Sequence, residues 1–138
     1  MELVQIRTIK ELDELIPEIK ALHEKLNDNY FSLTGFLSWV SINLHLDTFR
    51  VYKAIDNDML MGYSVVQVTH RYFEPELEIV DAYMTVNDEE FSDYVHKELE
   101  SWAKSKNCRY ISCISPRYEA LGKKYGFEPC GMIMRKQI

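Results

Sequence analysis

Glycine is scarce in this chain. Five glycines serve 138 residues, and none falls between Gly62 and Gly122. P-loop and dinucleotide-binding fingerprints, which need glycine-rich turns, are absent, and so is the G-x-S-x-G pattern of a nucleophile elbow. The four histidines, His23, His45, His70 and His96, are scattered without metal-ligand spacing, so no metal site is expected. Three cysteines, Cys108, Cys113 and Cys130, make an odd set that frames no disulfide scaffold and reads as reduced thiols. No base in the local sequence marks Cys108 or Cys113 as a nucleophile, so they read as buried thiols. Positive charge is also short, with 16 Lys and Arg against 22 Asp and Glu and a net charge of −6. That balance argues against sequence-independent binding to nucleic acid, which needs a basic face. No apolar run is long enough to span a membrane, and the opening MELVQIRTIKEL lacks a basic-then-apolar signal pattern. The expectation is a cytoplasmic protein with no membrane contact.

What is present suits one globular domain over residues 1–138, with 46% hydrophobic and 28% charged residues. Residues 4–8 read as a first strand. Thr8 and Glu11 form a capping-box pattern ahead of Leu12, Leu15, Ile16, Ile19, Leu22 and Leu26, which recur at helical spacing. Pro17 fits that helix as a late start or a kink. After a loop at 27–32, a second helix to Leu46 buries Leu33, Phe36, Leu37, Val40 and Leu44. Strands follow at 48–55 and 60–69, joined by the turn residues Asp56, Asn57 and Asp58. A polar loop with Pro75 is expected at 70–76, and a fourth strand at 77–86. Asn87 or Asp88 caps a helix carrying Phe91, Val95, Leu99, Trp102 and Ala103, which ends near Asn107. A fifth strand covers 110–115, and Ser115-Pro116 opens a last helix that Gly126 stops. A sixth strand is expected at 130–136. The strand–helix–strand unit from Leu77 to Ser115 predicts a right-handed crossover and two parallel strands. The fold class is therefore α/β (α+β), with a mixed, mostly antiparallel sheet and helices on both faces.

This element order resembles the GCN5-related N-acetyltransferase family. Leu60-Met61-Gly62-Tyr63 looks like the family's apolar-Gly-apolar opening of the third strand. Glu78-Ile79-Val80-Asp81-Ala82-Tyr83-Met84 resembles its fourth strand, and Leu99-Glu100-Ser101-Trp102-Ala103-Lys104 the end of the next helix. Residues 120–128, ending in Gly126-Phe127-Glu128, are similar to its "YEKLGFE" segment. The resemblance implies acetyl transfer from acetyl-CoA to an amine on a small molecule or a protein. It implies that acetyl-CoA lies between splayed parallel strands, the fourth and fifth, with Met84, Thr85 and Val86 beside the pantetheine arm. The pyrophosphate would meet backbone N–H groups at the next helix start. Ser115 stands where the family often has an asparagine that helps the cofactor. Glu78 or Asp81 would supply a base, and a tyrosine, here Tyr125, the acid that protonates the thiolate.

The chain departs from this pattern at three places. Where the family's phosphate turn carries glycines, this sequence reads Asn87-Asp88-Glu89-Glu90-Phe91-Ser92, with three carboxylates and no glycine. Aligning Gly126-Phe127 on the family motif puts Gly122, not Tyr125, at the acid's position; Tyr125 then reads as a core residue. The third departure is Ser115 itself. Strand alternation places Glu78 and Asp81 on opposite faces, each also readable as an ion-paired carboxylate. Lys123 and Lys124 read as a solvated helix face that could also meet a 3′-phosphate. The alternative to an enzyme is a catalytically inactive binding or structural protein with a protein partner. Degenerate members of this fold occur in bacteriophages, so this alternative includes a phage-encoded protein.

Overall fold

The computed structural model describes residues 1–26, 32–84, 88–114, 118–131 and 133–138. Its elements run β1 (Glu2–Ile6), α1 (Ile9–Leu26), α2 (Leu33–Asn43), β2 (Phe49–Asp56), β3 (Met59–Arg71), β4 (Glu74–Met84), α3 (Glu89–Ser105), β5 (Ile111–Cys113) and α4 (Tyr118–Tyr125). The five strands form one sheet in the order β1-β2-β3-β4-β5. The pairs from β1 to β4 are antiparallel, and β4–β5 is parallel, as the crossover predicts.

Local chemistry sets the element ends. The Thr8 hydroxyl accepts from the Glu11 N–H at 3.1 Å and donates to the Glu11 carboxylate at 3.0 Å, closing the first turn of α1. The helix then passes through Pro17 without restarting, so the proline forgoes one intrahelical hydrogen bond inside it. Ser32 caps α2 through the Gly35 N–H. Asn57 and Asp58, with φ of 50° and 61°, make the two-residue β2–β3 turn. Asn107, with φ of 61°, ends α3 in the left-handed conformation, and Gly126, with φ of 74°, ends α4. Residues 115–117, the expected start of α4, lie outside the described residues.

Each face of the sheet has its own core. Leu12, Leu15 and Ile19 of α1 and Phe36 and Val40 of α2 bury themselves against Ile6, Val51, Tyr63 and Val65. Leu99, Trp102 and Ala103 of α3 cover Tyr52, Val66 and Leu77 on the other face. Burying each such large apolar side chain contributes about 1.5–3 kcal/mol.

Two expectations fail. The loop predicted at 70–76 is strand up to a two-residue turn, Tyr72-Phe73, with Arg71 opposite Glu74 and His70 opposite Pro75. Arg71 ties the strand ends together, reaching Glu76 at 3.1 Å and Glu78 at 2.8 Å. The sixth strand at 130–136 does not form among the described residues. Gly131, with φ of 147°, leaves strand geometry, and Ile133 and Met134 remain 61% and 86% exposed instead of reaching a core.

β4 is irregular where it matters most. Val65 of β3 pairs with Asp81 but Val66 pairs with Ile79, so Val80 is an extra residue, a β-bulge. Pairing with β5 stops at the same point, with Ile79 opposite Cys113. Residues 80–84 therefore have no partner strand on that side among the described residues. Farther along, Gly62 sits opposite Met84, and a Cβ on Gly62 would lie 2.1 Å from the Tyr83 carbonyl oxygen. Only a residue without a side chain lets the two strands approach so closely. Gly62→Ala is expected to lower stability by about 1–3 kcal/mol, the cost of overpacking, read as a lower urea midpoint with an unchanged slope.

Candidate functional site

The bulge places the two candidate carboxylates on one face of the sheet, not on opposite faces. Glu78 is opposite Gln67 and Asp81 opposite Val65, and these partners are two residues apart on β3. One extra residue at Val80 reverses the alternation and overturns the simple strand reading.

The two carboxylates have different surroundings. Glu78 accepts from the Arg71 guanidinium at 2.8 Å and from the Gln67 amide at 3.4 Å, so its charge is held in a cross-strand ion pair. Asp81 accepts from the Tyr63 hydroxyl at 2.8 Å, and the same oxygen lies 3.1 Å from His23 Nε2. A carboxylate only accepts, so this contact places the imidazole proton on Nε2. The side chains of His23 and Asp81 are 9% and 16% exposed. Burial, then the neighbouring Asp81 charge, pushes the Tyr63 phenol well above the ordinary tyrosine range, so it stays protonated and donating. Three elements thus converge on Asp81: α1 through His23, β3 through Tyr63 and β4 through its bulge. This buried hydrogen-bonded set of His23, Asp81 and Tyr63 is one that the sequence reading missed. The usable signal lay in α1, where His23 follows Leu15 and Ile19 at spacings of four and continues the stripe facing the sheet.

The donor side is built differently. Among the described residues the β5 side of β4 at 80–84 has no strand partner, and Met84 lies at its end. Thr85, Val86 and Ser115, the other expected cofactor contacts, lie outside the described residues. The adjoining start of α3 is capped by the chain itself. The Asp88 carboxylate accepts the Phe91 N–H at 3.0 Å, and Glu89 and Glu90 stand exposed in the first turn. The N–H group and helix dipole that would favour an anion are already satisfied by a negative side chain. A pyrophosphate does not fit these residues.

Tyr125 is also committed elsewhere. Its hydroxyl donates to Asp93 at 3.0 Å, and its ring stacks on His96 with centroids 4.3 Å apart. Burial, with the Asp93 hydrogen bond adding to it and Lys124 opposing it, raises the Tyr125 phenol above its ordinary range. These contacts tie Tyr125, half-buried, to α3. Lys124 lies 3.8 Å from Glu89 and 4.0 Å from Asp93. Among the described residues no cluster of three or more His, Cys, Asp or Glu is placed to hold a metal ion.

Asp81→Ala leaves two buried donors without their acceptor and is expected to destabilise the protein by about 1–3 kcal/mol. Tyr63→Phe should cost about 0.5–1.5 kcal/mol alone, and the double variant should cost less than the sum of the two. Urea unfolding of the four proteins reads the coupling directly.

No family model and no curated protein sequence matches this chain. Solved structures match it over nearly its full length. A predicted acetyltransferase from Clostridium acetobutylicum, in a structure with acetyl-CoA, superposes with a TM-score of 0.76 at 14% identity, covering 99% of this chain and 95% of that one. The aminoglycoside N-acetyltransferase AAC(6')-Iy, in complex with CoA, gives 0.72 at 14% identity, covering 99% and 93%. An aminoglycoside acetyltransferase from an uncultured soil metagenomic sample, in complex with trehalose, gives 0.73 at 11% identity, covering 99% and 95%. This chain has the fold of the GCN5-related N-acetyltransferases.

Proposed function

We propose that this is an N-acetyltransferase-like protein whose donor site has degenerated, so that it holds acetyl-CoA weakly or not at all. The observation carrying this reading is the Asp88 carboxylate on the Phe91 N–H, with Glu89 and Glu90 beside it. A phosphate arriving there would displace a satisfied cap and meet three negative charges, with no glycine to let the backbone close on it. The engagement of Tyr125 with Asp93 and His96 supports the same reading, because it removes the candidate acid from the donor side. The protein would then act as a binding or structural component whose partner is a protein. No described helix is long and apolar enough to cross a membrane.

One arrangement favours a second reading, a divergent acyltransferase. The bulged, half-unpaired β4 and the buried pair of His23 and Asp81 retain an acceptor side on which a base could take a proton from an amine. The acceptor would be an amine of a small molecule or a protein, and the donor grip would rest on the strand edge instead of on the phosphates.

Calorimetry with acetyl-CoA at moderate salt tests the first reading. A dissociation constant weaker than about 100 μM is expected, a binding free energy less favourable than about −5.5 kcal/mol. Low-micromolar binding would overturn the proposal and restore the enzyme.

The charge argument has its own test in Asp88→Asn, Glu89→Gln and Glu90→Gln combined. Asparagine caps a helix as well as aspartate does, so the fold should hold while three charges leave. Each charge near a helix N-terminus is worth about 0.3–1 kcal/mol, so acetyl-CoA binding should strengthen by roughly tenfold. An unchanged affinity would show that the carboxylates are not what excludes the phosphates.

A further inference from the structure

Two cavities lie at the β1 side of the sheet, away from β4 and β5, and Arg50 lines both. The larger, about 310 Å³, is walled by Tyr52, Trp102, Ser101 and Glu98. The smaller, about 260 Å³, is walled by Arg7, His45, Gln5 and Asp47. Arg50 projects from β2, donates to the Tyr52 hydroxyl at 2.7 Å and lies over the Trp102 ring, 4.4 Å from its centroid. The guanidinium is thus half-buried and held in place, yet no carboxylate is bonded to it among the described residues. Asp47, the acidic residue in this wall, is engaged by Lys106 at 2.5 Å, which holds its carboxyl below the usual range. Arg7, exposed beside it, has no bonded partner among the described residues. Arg7 and Arg50 thus keep free hydrogen-bonding capacity at this wall, although Asp47 stands in it close enough to feel the Arg50 charge and Glu98 lines the larger cavity. A second observation points the same way. The indole N–H of Trp102, a residue 6% exposed, is buried without a hydrogen-bond partner. That unsatisfied donor belongs to a residue lining the larger cavity, although the nitrogen itself is shielded from solvent.

We propose that this pair of cavities binds a small organic oxyanion, its charged end on Arg7 and Arg50 and its body against the Trp102–Tyr52 wall. The planar fork of a guanidinium matches two oxygens of a carboxylate or phosphate, and stacking on Trp102 pre-sets its orientation. The site owes nothing to the donor edge of β4 and operates whether or not the chain binds acetyl-CoA.

The two tryptophans give the readout. Trp39 packs on Phe49, with ring centroids 5.2 Å apart, and serves as an internal reference for Trp102. The indole N–H resonances of the full chain are followed by NMR during titration with inorganic phosphate and, separately, with malonate. Sodium chloride holds the ionic strength constant, and Trp102→Phe assigns the signal. A saturable shift of the Trp102 signal is expected with at least one anion, while Trp39 stays fixed. Response to phosphate alone assigns a phosphate ligand; response to malonate alone assigns a carboxylate. Arg50→Gln should abolish the shift. Arg7→Gln removes an exposed side chain outside both cores and should weaken binding about tenfold, the worth of one charge-assisted contact. Lys20→Gln, on the exposed face of α1, should change nothing. The proposal falls if neither anion gives a saturable shift, or if the shift persists unchanged in both arginine variants.

Discussion

Side-chain alternation along a strand is the constraint on which this molecule turns, and its break at Val80 sets the surroundings of Asp81. The extra residue Val80 shifts the β3–β4 register by one. Without that shift, Asp81 would face away from the α1 side and could not meet both His23 and Tyr63. The same residue marks where β4 and β5 part company. A bulge bends its strand and increases its twist, so one insertion both aims a carboxylate and opens a strand edge. The close approach of Gly62 to the end of β4 completes the arrangement, because it lets β4 stay against β3 after leaving β5.

The electrostatics of the two sides of β4 oppose each other. On the α1 side, burial and a shared carboxylate keep a histidine and a tyrosine in one hydrogen-bonded set. On the α3 side, carboxylates occupy the end of the helix dipole that attracts anions. Asp88 is a good helix cap and, for the same reason, a poor neighbour for a phosphate. Stability of α3 and affinity for an anion would compete for the same N–H group, which the Asp88 carboxylate occupies here.

Much of the fold was legible because its signals are local. Thr8 with Glu11, the turn at Asn57 and Asp58, the cap at Asp88 and the stops at Asn107 and Gly126 each depend on a few neighbouring residues. The apolar stripes of α1 and α3 named their buried faces correctly at Leu12, Leu15, Ile19, Leu99 and Trp102. Non-local facts were not legible. Pro75 and its polar neighbours read as a loop until Arg71 supplies two cross-strand ion pairs. The tail at 130–136 has strand-like composition, but a strand needs a partner edge and a face to bury, and neither is written in the tail itself. His23 and Asp81 lie 58 residues apart in sequence, and their meeting depends on a bulge that no residue type announces.

The half-unpaired β4 has a consequence for self-association. Residues 80–84, Val-Asp-Ala-Tyr-Met, are apolar apart from one charge, and an open edge of that composition is a template on which another chain can add a strand. Natural sheets guard such edges with bulges, with inward-pointing charges and with short terminal strands. This one has all three: the bulge at Val80, Asp81 held inward by its two partners, and a β5 only three residues long. Asp81 therefore puts an inward-held charge in the middle of an otherwise apolar edge, a protective duty that would persist even in a chain that performs no chemistry.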